Sequence, residues 1–180
     1  MAFALAKRRE RLLGGERAGT KPIVGSDFVE AMLVQAMRKA RAQQQPAIFS
    51  GADALSLPFA DATFDLVTTA FGFRNLSNYE NGLREFARVL KPGGDLGILE
   101  FSEPEGALAG VFRFYFRQVL PRIGSAISGD KQAYAYLPNS VAKFPGKREL
   151  AELMEQNEFA DVKIHAWNFG SVVLHHARRI

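Results

Sequence analysis

RVLKPGGDLGILEFS, residues 88–102, reads as a helix end, a break and a buried strand. Arg88 to Leu90 closes a stretch with helical spacing. Lys91 to Gly94 breaks it, and Gly93 and Gly94 suit a tight return. Asp95 to Phe101 is largely apolar, as expected of a strand covered on both faces. A helix running straight into such a strand belongs to a chain in which strands and helices alternate.

The same grammar continues on both sides. Upstream, Tyr79 to Leu90 turns Leu83, Phe86, Ala87 and Leu90 inward at helical spacing, and FDLVTTAF (64–71) is a strand. GADALSLPFADATF (51–64) reads as loop, Ala47 to Ser50 as a short strand, and Phe28 to Gln43 as a helix with Phe28, Met32, Leu33, Ala36 and Met37 on one side. Pro22 to Asp27 is a strand before it. Ala2 to Leu13 is helical in composition and ends at Gly14 and Gly15. Downstream, Gly106 to Leu120, Ala133 to Ala142 and Lys147 to Glu155 read as helices. Asp161 to Asn168 and Ser171 to Arg178 are strands around NFGS, a hairpin. The pattern predicts one α/β domain over 1–180. It would be a mainly parallel open sheet with helices on both faces and one antiparallel strand near the edge.

Bulk composition sets limits. A chain of 180 residues with 47% apolar and 23% charged residues can bury a core of its own. The absence of cysteine excludes disulfides, thiolate zinc sites and thiol nucleophiles, and fits a reducing, cytoplasmic setting. No run reaches transmembrane length. MAFALAKRRERL, at the N-terminus, has too short an apolar stretch for a secretory signal. The net charge of +4 sits at Lys7 to Arg17 and at Arg178 and Arg179. Neither cluster is interleaved with aromatic residues, so no nucleic-acid partner is expected.

In open α/β sheets ligands bind beyond the carboxyl ends of the strands. That directs attention to Asp27, Asp53, the turn Ala70 to Asn75, and Glu100 to Ser102. Asp27 ends its strand before a helix. A carboxylate there can accept both hydroxyls of a ribose or cap the helix, and the sequence leaves both open. Asp53, in the loop after the next strand, can receive an adenine amino group or close an Asx turn. In AFGFRN (70–75), Gly72 allows close backbone approach, and Arg74 and Asn75 place a cation and an amide at the site's mouth. Together they can stabilise a developing phenolate oxygen and orient a water. The alternative is an Arg74 paired with a helix acid such as Glu85.

His175 and His176 are adjacent on a strand and point to opposite faces, and His165 lies on the neighbouring one. That geometry suits structural roles better than a metal. GVFRFYFRQVL (110–120) sets Arg113 and Arg117 along one helix side with Phe112, Phe116 and Val119 near one another. A membrane surface, a greasy substrate or plain docking on the domain would each use such a helix.

Taken together, GADALSLPF, FDLVTTAFGFRNL and above all RVLKPGGDLGILEFS resemble the UbiE/MenG/COQ5 quinone-biosynthesis C-methyltransferases. YAYLPNSVAKFPGKRELAELM and the terminal GSVVLHHARR resemble that family too, so the likeness covers essentially all 180 residues. The resemblance implies a class I, Rossmann-like S-adenosyl-L-methionine-dependent fold. It implies methyl transfer to a ring carbon of a polyprenyl quinol, demethylmenaquinol to menaquinol, in menaquinone or ubiquinone biosynthesis, with no metal. On this basis Asp27 binds the ribose, and Asp53 and Ala54 flank the adenine. Arg74 and Asn75 help deprotonate the quinol or hold its oxygen, and Tyr134, Tyr136 and Ser140 lie over the substrate. Ala70 stands where many members carry serine, so one cofactor contact is expected to be missing. Peripheral contact with the inner face of the membrane and a homodimer are further expectations.

In that family a glycine-rich first strand runs directly into a stretch like MAFALAKR. The resemblance therefore implies that Met1 stands inside the first helix, with the first strand and its glycine loop not in this chain. That strand would lie centrally, between the second and fourth. Those two would be left with unpaired backbone or would pair with each other. Weak cofactor binding or poor stability of the chain alone is expected. The competing reading is a non-catalytic remnant that binds pathway partners or lipid through Phe112, Phe116 and YAYLPNS. A nicotinamide dehydrogenase is disfavoured, because FGFRN and EFS offer no hydride-transfer acid.

Overall fold

The computed structural model describes residues 23–44, 47–103, 110, 114 and 140–180. The chain divides into two compact units, 1–59 and 60–180.

The described part of the first unit is a strand–helix–strand crossover. Strand β1 (Ile23–Asp27) leads into helix α1 (Glu30–Ala42), which returns to strand β2 (Ala47–Gly51). The strands are parallel and in register from Ile23 opposite Ala47 to Asp27 opposite Gly51. Glu30 in the first turn of α1, and Lys39 and Arg41 in the last, complement the helix dipole. Ala40 is the one residue of α1 that is fully buried.

The second unit holds a four-stranded sheet in the order β3–β4–β6–β5. Strand β3 (Phe64–Ala70) pairs in parallel with β4 (Leu90–Phe101). Strand β6 (Val172–Arg179) is antiparallel both to β4 and to β5 (Phe159–Trp167). The last strand of the chain is thus inserted between its two predecessors, and β6 is the antiparallel member expected near the edge. The strand order gives β1 and β3 one hydrogen-bonded neighbour each among the described residues, β2 and β4 respectively.

Helix α2 (Tyr79–Val89) starts at Asn78, whose side chain accepts from the Asn81 N–H at 2.9 Å. It buries Leu83, Phe86, Ala87 and Val89, which meet a core that includes Leu96 and Ile98 of β4. Helix α3 (Lys147–Glu155) is opened by Glu149, whose carboxylate accepts from the Gly146 N–H at 3.2 Å. Leu150 and Met154 are its buried residues.

Several boundaries differ from the sequence expectation, three of them for a visible structural reason. Strand β4 begins at Leu90 rather than Asp95. Leu90 pairs with Phe64 and Asp95 with Leu66, so Lys91 to Gly94 form an excursion inside the ladder. Gly93 there has φ +76°, and a Cβ on Gly94 would lie 2.9 Å from the Lys91 carbonyl oxygen. A 2.8 Å ion pair between Lys91 and Asp65 fastens the excursion to β3. Strand β5 begins at Phe159 rather than Asp161, because a bulge between Ala160 and Lys163, with Asp161 at φ +56°, is absorbed within the strand. Strand β3 stops at Ala70, since Phe71 turns into the left-handed region.

Candidate functional site

At the carboxyl edge of the first unit, Asp27 is the last residue of β1 and Asp53 lies on the loop after β2. The Asp27 carbonyl accepts from the Ala52 N–H at 3.1 Å, which ties the loop after β2 to the end of β1. Asp27 Oδ1 accepts from the Val29 N–H at 2.9 Å, and Asp53 Oδ1 from the Leu55 N–H at 2.9 Å. Asp53 therefore closes the Asx turn that the sequence allowed, whereas Asp27 makes a similar short turn in place of the helix cap considered for it, since the N-cap of α1 is Val29. Each turn uses one oxygen of its carboxylate. Two acceptor-only groups at the carboxyl ends of neighbouring parallel strands suit a ligand that presents hydroxyl and amino donors, as a nucleoside does. Ala54 stands beside Asp53, half-buried.

In the second unit the turn after β3 is built around Phe73, which is 1% exposed. Its ring lies 5.6 Å from that of Tyr79, 5.9 Å from Phe86 and 6.3 Å from Phe144. This aromatic plug pins the 3₁₀ turn Phe73–Asn75 to the core. The conformational strain is at Phe71, with φ +58°, not at the glycine beside it. Gly72 has φ −123°, and a Cβ there would meet Thr69 Oγ1 at an ordinary 3.5 Å. The sequence reading placed the backbone freedom at Gly72, and the structure moves it one residue earlier. Phe71 is held by its N–H on the Leu99 carbonyl at 2.9 Å and by its ring, 4.5 Å from that of Phe101. A left-handed non-glycine residue at a strand end is the kind of strain that collects at functional sites.

Arg74 is clasped from several directions. Its backbone N–H donates to Glu100 Oε1 at 3.1 Å, and its Nη1 donates to Glu100 Oε2 at 2.9 Å. Nη1 also donates to the Phe71 carbonyl, and Nε donates to Ser140 Oγ at 3.4 Å. Cζ lies 5.6 Å from the centre of the Phe101 ring, a cation–π contact. The Arg74 side chain is 8% exposed and that of Glu100 1%. The partner of Arg74 is thus the acid at the end of β4. Glu85, the helix acid considered from the sequence, is paired with Arg88 instead, at 2.6 Å. Glu100 carried a readable signal: an acid inside the apolar run LGILEF needs a buried partner.

Of the substrate-side residues expected from the sequence, the structure brings Ser140 to Arg74. Asn75 follows Arg74 on the same turn and is exposed. Phe144 packs 6.3 Å from Phe73 and 5.4 Å from Tyr79, so the segment 140–144 is anchored at one end to the turn and at the other to the turn and the start of α2. The sequence reading missed that anchor. Tyr134 and Tyr136, and Phe112, Arg113, Phe116 and Arg117, lie outside the described residues.

His175 and His176 point apart, as alternation requires. His176 Nε2 is 3.0 Å from Asp95 Oδ1 on the neighbouring strand. His175 is buried, with Nε2 2.7 Å from the Lys147 carbonyl. A carbonyl only accepts, so Nε2 carries the proton. Nδ1 has no hydrogen-bond partner among the described residues. Burial holds the His175 pKa below its ordinary value, against the opposing effect of the Lys147 bond.

Comparison with known proteins bears on the family and the fold. The family model described as the ubiE/COQ5 methyltransferase family matches residues 2–179. The demethylmenaquinone methyltransferase of Deinococcus radiodurans is 52% identical over 156 residues, which is 86% of this chain and 64% of that protein. The protein of the same name from Thermus thermophilus is 48% identical over 89% of this chain and 73% of its own length. Among solved structures, a SAM-dependent methyltransferase from Aquifex aeolicus superposes with a TM-score of 0.62 at 17% identity, over 97% of this chain and 78% of the other. The chain spans just under two thirds of the Deinococcus protein's length. A match along nearly every residue, on a fold shared with class I S-adenosylmethionine-dependent methyltransferases, places this chain in the ubiE/COQ5 methyltransferase family.

Proposed function

We propose that the protein of this chain transfers a methyl group from S-adenosyl-L-methionine to a ring carbon of a polyprenyl quinol, converting demethylmenaquinol to menaquinol. The main support is the 52% identity to a demethylmenaquinone methyltransferase. Asp27 would hold the ribose hydroxyls, with Asp53 and Ala54 at the adenine. The cofactor, when bound, supplies a methyl group already activated on a sulfonium. Replacing a ring hydrogen by that methyl breaks the carbon–sulfur bond, leaves a neutral thioether and releases one proton to solvent.

The residues of the second unit have the chemistry to favour this exchange. A quinol attacks more readily as its hydroxyl becomes a phenolate. The guanidinium of Arg74 has donors only, so it is suited to hold that oxygen rather than to accept its proton. Nη1 and Nε are committed to Phe71, Glu100 and Ser140. Among the described residues Nη2 has no acceptor, and it is the edge assigned to the substrate oxygen. Asn75 would orient the water that carries the proton away. A polyprenyl tail resides in lipid, so the reading includes peripheral contact with the membrane surface. No helix among the described residues is long and apolar enough to cross a membrane.

The test is methyl transfer from labelled S-adenosylmethionine to demethylmenaquinol, paired with calorimetric titration of the cofactor. Label should appear on the quinol ring. Asp27→Asn should weaken cofactor binding by about 10–100-fold, the worth of hydrogen bonds to a charged group. Label on another acceptor, or unchanged affinity in Asp27→Asn, would sink the reading.

A further inference from the structure

We propose that Glu100 is a positioning residue for Arg74: it arrests the guanidinium in one orientation, so that Nη2 is the edge left for a substrate oxygen. The substrate in that statement rests on the function proposed above, and the geometry does not.

Three N–H donors converge on the two oxygens of Glu100. One comes from the Arg74 backbone at 3.1 Å, one from Arg74 Nη1 at 2.9 Å and one from the Phe101 backbone at 3.2 Å. The same carboxylate therefore grips both the root and the tip of one side chain. Ser140 at Nε, the Phe71 carbonyl at Nη1 and the Phe101 ring beneath Cζ complete the vice. A long, flexible side chain is held at its backbone amide, Nε, Cζ and Nη1.

The setting makes a purely structural role a poor explanation. Burying a charged pair is costly, and packed apolar residues of similar volume commonly serve stability as well or better. Glu100 sits in a strand whose neighbours Leu96, Ile98 and Leu99 are aliphatic. What an acid adds there is direction: a fork of donors fixed by an oxygen pair. Nor does Glu100 fit the role of proton acceptor for a bound quinol. Both its oxygens are occupied, and its side chain is 1% exposed. Its action runs through Arg74.

The experiment uses the full-length protein with Glu100→Gln, Glu100→Asp, Arg74→Met and the double variant Arg74→Met/Glu100→Gln. Turnover of demethylmenaquinol is measured beside the Arg74 Nε–H signal by heteronuclear NMR, assigned from its loss in Arg74→Met. Glu100→Gln should lower kcat by about 10²-fold, the scale of a misplaced catalytic group, with KM for S-adenosylmethionine unchanged. The Arg74 Nε–H should lose its slow exchange and hindered rotation. Glu100→Asp keeps the charge and should recover part of both. The double variant should be no slower than Arg74→Met alone, since a residue acting only through Arg74 has nothing left to act on. If the wild type does not methylate the quinol but the Arg74 signal loosens in Glu100→Gln, the positioning role stands and the proposed function falls. If Arg74 stays as restrained in Glu100→Gln as in the wild type, or the two substitutions multiply in kcat, the proposal is overturned. Should Glu100→Gln not fold, Glu100→Asp carries the same NMR measurement.

Discussion

Helices α1 and α2 have similar lengths, yet α2 has the sharper apolar stripe and only α2 buries one. Helix α2 buries Leu83, Phe86, Ala87 and Val89, whereas α1 buries Ala40 and leaves Met32 about half exposed. The difference lies in what each unit supplies. Among the described residues the first unit has two strands; the second has four, with further cover from α3. A helix stripe is stabilised by the apolar area it removes from water, and a two-stranded sheet offers little. The same contrast extends to the polar groups. In the first unit Asp27 and Asp53 bind neighbouring backbone at the surface, while in the second the charges of Arg74 and Glu100 are sealed inside.

The largest effect should come from breaking that sealed pair. Glu100→Ala leaves the Arg74 charge buried and should destabilise the second unit by about 3–5 kcal/mol, read from urea unfolding. Trp167, the single tryptophan, belongs to that unit and reports it by fluorescence. An effect under about 1 kcal/mol would mean that the pair behaves as a solvated one.

Next comes the direct contrast between the helices. Leu83→Ala should cost about 2–5 kcal/mol through lost burial and a cavity. Met32→Ala should stay within about 0.5 kcal/mol, as surface substitutions do. Equal costs would erase the distinction drawn between the units. Amide hydrogen exchange sharpens it: β1 and β2 should open at lower free energy than β4 and β6.

A smaller effect depends on pH. The neutral form of His175 is favoured in the folded state, because protonation would charge a buried ring whose Nδ1 lacks an acceptor. Its folded pKa lies below the unfolded value of about 6.5. Its contribution is therefore fully present above about pH 6.5 and is lost progressively as the pH falls towards the lowered native value. Trp167 fluorescence should show that loss between neutral and mildly acid pH, and His175→Leu should flatten it. The first unit has no histidine and should not share it. The smallest effect is expected at Gly72. Gly72→Ala meets only an ordinary contact and should change stability by less than about 0.5 kcal/mol. A larger loss would return the turn's backbone demand to that glycine.

The sequence determined the element types and nearly all their positions, because period and breakers are local properties. Lys147–Glu155 matches its expected span at both ends, and the adjacent histidines fall on opposite faces as strand alternation demands. It also directed attention to Asp27, Asp53, Arg74 and Glu100, since each follows a strand towards its carboxyl end or stands in it. What it could not settle was non-local. The insertion of β6 between β4 and β5, the strain at Phe71 rather than Gly72, and the anchoring of Phe144 on Tyr79 all depend on partners brought together by folding. The choice of Glu100 over Glu85 for Arg74 is the sharpest case. Both acids are near enough in sequence to pair with it, but only the sheet register places one of them, buried and unsolvated, against the turn that carries the arginine.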